Sequence, residues 1–381
     1  MATTDTSRCV KCGLCLAECP TYLLTGSEAC SPRGRIALVQ ALEANAMAPS
    51  PRSRELLGRC LLCRRCERIC PSEVAFGKIL DEGRRRVRRY LPLQERMAVA
   101  LLSRWGLAQR MLGLAAPLRR LLPAGSRLSE LLKRRKVGQS PLAAHYPARE
   151  KRRGRVGLFT GCSGSLLDAE ALRSASKLLA QAGFEVHVPA DQVCCGALDL
   201  HSGNPRRAER LQQRNLAAFA ALGELDAVVS LASGCGARLS EYPAGNFTHM
   251  DVCEFLWRKG AIETLRFRPL RESVLVHTPC TLENVLRQSD AVFRLLERVP
   301  GLDVRELGRR GACCGAGGLT FLSFPHMSRE LRQPLVEQVE TSAPRFVVTS
   351  NAACGLHLQE GARDAEYLHP VTLLARQLIR E

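Results

Sequence analysis

The chain has 381 residues, 46% of them hydrophobic, and a formal charge of +18 from 55 Lys or Arg against 37 acidic residues. That length points to two or three domains, and the apolar content excludes wholesale disorder. Aromatic residues make up only 5%, too few for platforms that stack single-stranded nucleic acid, whereas 18 cysteines make metal or redox chemistry the first question.

The opening Met1–Arg8 has no apolar run, so no secretory signal is expected, and disulfide scaffolds belong to short secreted chains rather than to one of this size. No uninterrupted apolar stretch of about 18 residues occurs. The nearest candidate, Met97 to Leu122, is broken by Arg104, Arg110, Arg119 and Arg120. A cytoplasmic protein is expected, with peripheral attachment to the inner face of the cytoplasmic membrane as an option, and with thiols reduced or holding metal.

The first organised segment is Cys9-x2-Cys12-x2-Cys15-x3-Cys19-Pro20, which returns 51 positions later as Cys60-x2-Cys63-x2-Cys66-x3-Cys70-Pro71. This is the bacterial ferredoxin run, in which three thiolates hold one [4Fe–4S] cluster and the fourth reaches the other. One cluster is assigned to Cys9, Cys12, Cys15 and Cys70, the second to Cys60, Cys63, Cys66 and Cys19. Structural zinc, the competing reading, prefers paired knuckles separated by a longer loop. Between the runs, residues 33–43 carry helical periodicity, which favours a helical two-cluster domain over a compact β-rich one. Cys30 falls outside the pattern and reads as a buried small hydrophobe, as does Cys253 further on.

From Arg84 to Arg155, 20 Lys or Arg face 3 acidic residues, which is +17 of the total. Leu and Ala recur there at helical spacing. The segment reads either as a solvated linker or as a face for an acidic partner or an anionic membrane surface, the second being slightly favoured.

The remainder is duplicated. Cys162, Cys194-Cys195-Gly196 and Cys235 return as Cys280, Cys313-Cys314-Gly315 and Cys354, at offsets of 118 or 119. In the first copy, Val156–Thr160, Glu185–Val188 and Ala227–Leu231 read as strands, with helices at Asp168–Gln181 and Pro205–Leu222. In the second, Ser273–His277, Asp303–Leu307 and Phe346–Thr349 are the strands, with helices at Leu282–Arg298 and Ser328–Glu340. Such alternation predicts a parallel sheet in each copy. Adjacent cysteines in a turn opened by glycine can converge on one centre, so each copy offers four candidate ligands for a further centre. Duplicated packing without metal is the alternative. His277, three residues before Cys280, reads as a ligand, a proton donor or a satisfied structural residue.

The expected architecture is therefore α+β and multidomain. A helical ferredoxin-type domain spans 1–90, a basic helical linker 91–154, and two tandem α/β Cys-Cys-Gly domains 155–265 and 266–381, related by pseudo-two-fold symmetry.

At this point the chain resembles the heterodisulfide-reductase-related iron–sulfur proteins, in particular the iron–sulfur subunit of glycolate oxidase. The resemblance rests on Cys-Pro-Thr-Tyr at 19–22, Pro-Arg-Gly-Arg at 32–35, Arg-Cys-Leu-Leu-Cys-Arg-Arg-Cys-Glu at 59–67, Ala-Ser-Gly-Cys-Gly at 232–236, Cys-Thr-Leu at 280–282 and Cys-Cys-Gly-Ala-Gly-Gly at 313–318. It implies an electron-transfer subunit that is not catalytic alone. An FAD-containing partner would oxidise a 2-hydroxy acid, glycolate first, and this chain would pass electrons toward the quinone pool. Lactate and glycerol-3-phosphate dehydrogenase subunits share the arrangement. In the full family motif each Cys-Cys-Gly half closes with C-x2-C. Here Ala232 and Asn351 replace the first cysteine of that pair, which weakens the case for a five-cysteine cluster and for disulfide-cleaving chemistry.

Two rival functions remain. A self-contained reductase would act on substrate at the Cys-Cys-Gly centres. A nucleic-acid-binding iron–sulfur protein would use the basic run, but that run interleaves only Tyr90, Trp105 and Tyr146, so no nucleic acid partner is expected. No P-loop, G-x-S-x-G or strand-linked G-x-G-x-x-G occurs, so the sequence offers no flavin or nicotinamide site of its own.

Overall fold

The computed structural model describes residues 5–104, 142–243 and 247–379. Up to residue 104 the described chain is helical: α1 (Pro20–Thr25), α2 (Pro32–Glu43), α3 (Pro51–Gly58), α4 (Arg65–Arg68), α5 (Phe76–Arg86) and α6 (Leu93–Ser103). Proline opens α1, α2 and α3, where its fixed φ suits the first turn and its missing N–H costs nothing. Ser31 caps α2 by accepting from the Gly34 N–H, and Ser50 and Ser53 cap α3 reciprocally. The core is Ile36, Val39 and Leu42 of α2 against Ile79 and Leu80 of α5, closed by Leu57, Val74, Phe76 and Val87. Gly83 permits the close approach, since a Cβ there would lie 2.5 Å from Val39 Cγ2.

Beyond residue 142 lie two sheets. The first has the order β1-β3-β2-β4-β5, from β1 (His145–Tyr146), β2 (Gly154–Phe159), β3 (Phe184–His187), β4 (Ala227–Ser230) and β5 (His249–Asp251). The second has the order β7-β6-β8-β9, from β6 (Ser273–His277), β7 (Asp303–Glu306), β8 (Phe346–Thr349) and β9 (Glu366–Leu368). All pairs are parallel except β1 with β3. Central strands β4 and β8 are buried throughout, as sheets covered on both faces require.

Leaving β1 aside, the two sheets have one order of equivalent strands, and the helices between them pair reciprocally. The helix after β4 (α11, Ser233–Leu239) packs on the turn after β6 (Leu282–Leu286). Its counterpart after β8 (α16, Ala352–Gly361) packs on the helix after β2 (α7, Gly161–Leu167). Likewise α12 (Val252–Arg258) meets α13 (Asp290–Leu296), and α17 (Pro370–Gln377) meets α8 (Ala169–Gln181). Reciprocal contacts of this kind are the mark of a two-fold relation, here within one chain. One apolar core, including Leu158, Leu178, Phe255, Val276, Leu295, Val348 and Leu374, runs through both sheets.

The expected strands and most helices stand where the pattern puts them. The helix expected over Leu282–Arg298 is divided: a π turn covers Leu282–Leu286, Arg287 adopts φ 56°, and α13 begins only at Asp290. Buried Glu283 and Asn284 turn toward the helical domain there, and that pull outweighs continuous helix. Strands β1, β5 and β9 are not foreshadowed in the pattern; two or three residues are too few for an alternation to register. Most of the Met97–Leu122 stretch lies outside the described residues. Arg84, counted with the basic segment, is no free surface charge: its half-buried guanidinium donates to the carbonyls of Leu57, Gly58, Cys60 and His201.

Candidate metal centre

The two ferredoxin runs make matching loops. Two residues after the first cysteine of each run, Lys11 and Leu62 have φ of 57° and 52°; four residues after it, Gly13 and Arg64 have 88° and 55°. Non-glycine residues enter this region only where the surroundings insist on it. The alternation curls the chain round a point and turns backbone N–H groups inward, the concavity that suits an anionic centre. One such group is in place, the Leu62 N–H donating to Cys60 Sγ across 3.5 Å.

Cys19, the last cysteine of the first run, is an electrostatic neighbour of Cys63 and Cys66 of the second. Burial, then these neighbours, pushes the thiols of Cys63 and Cys66 far up, so they suit a site where metal replaces the protons. Cys15 is raised by burial, with Cys9 and Cys19 as lesser contributors. Cys9, Cys15, Cys60 and Cys70 are half-buried against the helical core, and Cys12 is exposed. A soft, thiolate-rich donor set on N–H-lined loops fits iron–sulfur ligation.

In each half, the duplicated cysteines follow the carboxyl ends of parallel strands, where α/β sheets place their sites. Cys162 follows β2, Cys194 and Cys195 follow β3, and Cys235 lies in α11 after β4. Cys162 Sγ is 3.6 Å from Cys194 Sγ, while Cys195 is hydrogen-bonded to both Cys194 and Cys235. In the second half, Cys280 follows β6, Cys313 and Cys314 follow β7, and Cys354 lies in α16, with Cys314 Sγ 2.7 Å from Cys354 Sγ. Thiol–thiol hydrogen bonds favour the anion at Cys194 and Cys314 and raise Cys195 and Cys354. The glycine of each motif is forced. Gly196 and Gly315 have φ of 83° and 79°, and a Cβ on Gly315 would sit 2.2 Å from the Ser328 carbonyl oxygen.

The eight thiols do not line two separate clefts. Cys162, Cys194, Cys195, Cys235, Cys280, Cys313, Cys314 and Cys354 all border one cavity of about 1520 Å3 between the halves, and Cys60 reaches it from the helical domain. Its wall is also built from Leu62, Leu102, Leu198, Val285, Phe321 and Leu356. Cys63 of the second ferredoxin run stands beside Cys280 and Cys313; burial raises these thiols first, and their mutual repulsion raises Cys63 and Cys313 further. Arg65 donates to the Gly311 carbonyl across 2.7 Å, and the Asn284 amide donates to the Cys63 carbonyl across 3.0 Å. Arg68 pairs with Glu283 across the same interface.

His277 is fully engaged. Nδ1 meets Thr349 Oγ1 at 2.9 Å and Nε2 the Ala312 carbonyl at 3.3 Å, while burial pushes its pKa down to about 4. It braces β6 against β8 and the second Cys-Cys-Gly turn. Asn351 caps α16 by accepting from the Ala353 N–H and donates to Ser233 Oγ, and so ties the halves together. Cys30 and Cys253 are buried, and the Cys30 carbonyl accepts from the Cys19 thiol across 3.7 Å. Sequence reasoning missed Arg84, Asn284 and Asn215. Buried Asn215 donates to the Cys194 carbonyl and accepts from the Val193 N–H. A polar residue four positions from both Leu211 and Phe219, on the apolar face of its helix, was the signal available.

Against family models, residues 5–74 match the 4Fe-4S dicluster domain, and residues 156–240 and 274–359 each match the Cysteine-rich domain. A probable glycolate oxidase iron–sulfur subunit from Bacillus subtilis is 32% identical over 93% of this chain and 88% of its own length. The chain belongs to the glycolate oxidase iron–sulfur subunit family. The glycolate oxidase iron–sulfur subunit of Escherichia coli is 31% identical over 98% of this chain and 94% of its own. This family member is also similar, at 25% identity over 96% of its length and 71% of the relative's, to a fumarate reductase (CoM/CoB) subunit of Methanothermobacter marburgensis. Among the described residues, no helix is long and apolar enough to cross a membrane.

Proposed function

We propose that the chain is the electron-transfer subunit of a flavoprotein 2-hydroxy-acid dehydrogenase, with glycolate oxidised to glyoxylate on an FAD-containing partner subunit and electrons delivered toward quinone. The observation that carries this reading is that Cys63 of the second ferredoxin run is an electrostatic neighbour of Cys280 and Cys313, which border the cavity shared by the halves. Cys9, Cys12, Cys15 and Cys70 would hold one [4Fe–4S] cluster, and Cys60, Cys63, Cys66 and Cys19 the other. Bound there, such clusters supply one-electron transfer at fixed positions.

The chain's own residues set those positions. Arg84 ties the Leu57 and Cys60 carbonyls to the His201 carbonyl of the first half, and Asn284 and Arg65 hold the second run against the second half. Oxidation of glycolate releases two electrons and two protons together, which requires a two-electron acceptor such as flavin. The test is dye and quinone reduction with glycolate and D-lactate by the purified chain, with and without its flavoprotein. Turnover by the flavin-free chain alone overturns the proposal. So does electron flow to quinone that survives loss of both Cys15 and Cys66.

A second reading, a reductase acting on substrate at the Cys-Cys-Gly centres, is favoured by the cavity itself. At about 1520 Å3 it exceeds the roughly 300–1,000 Å3 of ordinary ligand pockets. Disulfide reduction by the chemically reduced chain, without flavoprotein, would select it.

A further inference from the structure

A second cluster of metal-binding side chains lies outside the thiol sites. We infer that His145, His187 and Glu185 form a binding site for a borderline divalent transition-metal ion, zinc being the class best suited.

The placement follows from strand geometry. β1 pairs antiparallel with β3, and His145 stands directly opposite His187 in the register. Opposed residues project from the same face of a sheet, and so does a residue two positions along the strand. Glu185 therefore shares the face of both histidines. The imidazole rings are 4.7 Å apart between centroids, and Glu185 Oε2 is 3.8 Å from His187 Nε2. One donor atom from each of the three residues lies within 4.8 Å of the others. Two imidazole nitrogens and a carboxylate oxygen on one side of a possible centre are the His2Glu set that zinc accepts, with open positions for water.

The competing groups are two arginines. Arg155 Nε lies 3.4 Å from His187 Nε2 and 3.7 Å from Glu185 Oε2, and Arg152 Nη2 lies 3.3 Å from Glu185 Oε2. Neither is locked to the site. Arg152 is exposed, and Arg155 is anchored at its far end to the carbonyls of Glu224 and Leu222. An ion would displace two long Arg155 contacts and one surface ion pair.

None of the three residues borders the thiol cavity, so the ion would not take part in redox chemistry there. It would fasten β1, a two-residue strand on the edge of the first sheet, and with it the chain returning from the basic segment. A backbone tie nearby is the Val188 N–H to the Ala144 carbonyl, at 2.8 Å.

The experiment uses the full chain with its iron sites loaded anaerobically, so that the thiols are occupied, and titrates it with Co2+ and then Zn2+. The expected result is uptake of about one further equivalent with weak d–d absorption and no thiolate charge-transfer band. H145A and H187A should each weaken uptake by more than the 10–100-fold typical of changes next to a metal site, with iron content unchanged. E185Q should weaken it less than either histidine variant. Absence of uptake, a thiolate band on the added cobalt, or equal uptake in H145A would each overturn the inference. His145 is exposed, so its variant tests the site without disturbing a core.

Discussion

The side-chain amide of Asn284 donates to the backbone carbonyl of Cys63 across 3.0 Å, and these residues are separated by 221 positions in the chain. The π turn at Leu282–Leu286 carries Asn284 to this carbonyl. Asn284→Leu should leave a half-buried carbonyl without this partner, at a cost of up to about 1–3 kcal/mol. Iron should then be lost from the second run before the first, which a chelator time course on paired C12S and C63S backgrounds will read. Equal loss from both runs would show that the bond does not hold this interface.

Crossed ligation makes a specific prediction for Cys15. Cys15→Ser should lower iron by about four atoms per chain and leave the Cys60–Cys66 loop occupied. Iron analysis with spectroscopy of the remaining centre will check it. Loss of all iron, or stoichiometric zinc in the parent protein, would refute the assignment.

Gly315 and Gly318 both have positive φ, at 79° and 56°, but their surroundings differ. A methyl group at Gly315 would collide with the Ser328 carbonyl, whereas nothing lies within 4 Å at Gly318. Gly318→Ala should cost only the conformational term of about 1–2 kcal/mol. Gly315→Ala should cost more and displace the Cys313–Cys314 turn, seen as altered thiol reactivity in that half alone. Equal melting points for the two variants would count against this reading.

Asp251 is buried and its pKa is pushed up from an ordinary 3.8 to about 7, chiefly by desolvation. Folded protein therefore keeps a proton on Asp251 that the unfolded chain gives up as pH rises from about 3.8 to 7. Its contribution to stability is present below that window and lost across it. His277 and His369, both pushed down to about 4 by burial, act in the opposite sense: stability falls as pH drops from 6.5 toward 4. Asp251 caps α12 by accepting from the Cys253 N–H, a role asparagine can also fill. Asp251→Asn should therefore gain on the parent by about 1.4 kcal/mol for each pH unit between about 4 and 7. Denaturant midpoints at about pH 4.5 and 6.5 will measure it, and parallel curves would exclude it.

Much of this arrangement can be read from residues alone, because two kinds of signal are strong. Cysteine spacing marks the ferredoxin runs, and equal offsets mark the duplication and its strand order. What spacing cannot carry is tertiary reach. The meeting of Cys63 with Cys280 depends on how a helical module lies against an α/β body. The split of Leu282–Arg298 arises from buried Glu283 and Asn284 finding partners outside their own helix, against a sequence pattern that favours continuation. Arg84 reads as part of a charged surface because charge counts do not distinguish a solvated guanidinium from one spent on four carbonyls.

A duplicated body presents the same face twice, yet a single helical module cannot dock on both copies alike. Where it meets the second ferredoxin run, the second copy carries Glu283 and Asn284, and the positions equivalent to them in the other copy are Ser165 and Leu166. The two halves have thus parted company where the Cys63–Arg68 stretch of the third module meets the second of them, while its Arg64 and Arg84 reach Glu241 and His201 of the first. A mutational scan should find Glu283 and Asn284 far less replaceable than Ser165, although the backbone that carries them repeats one plan.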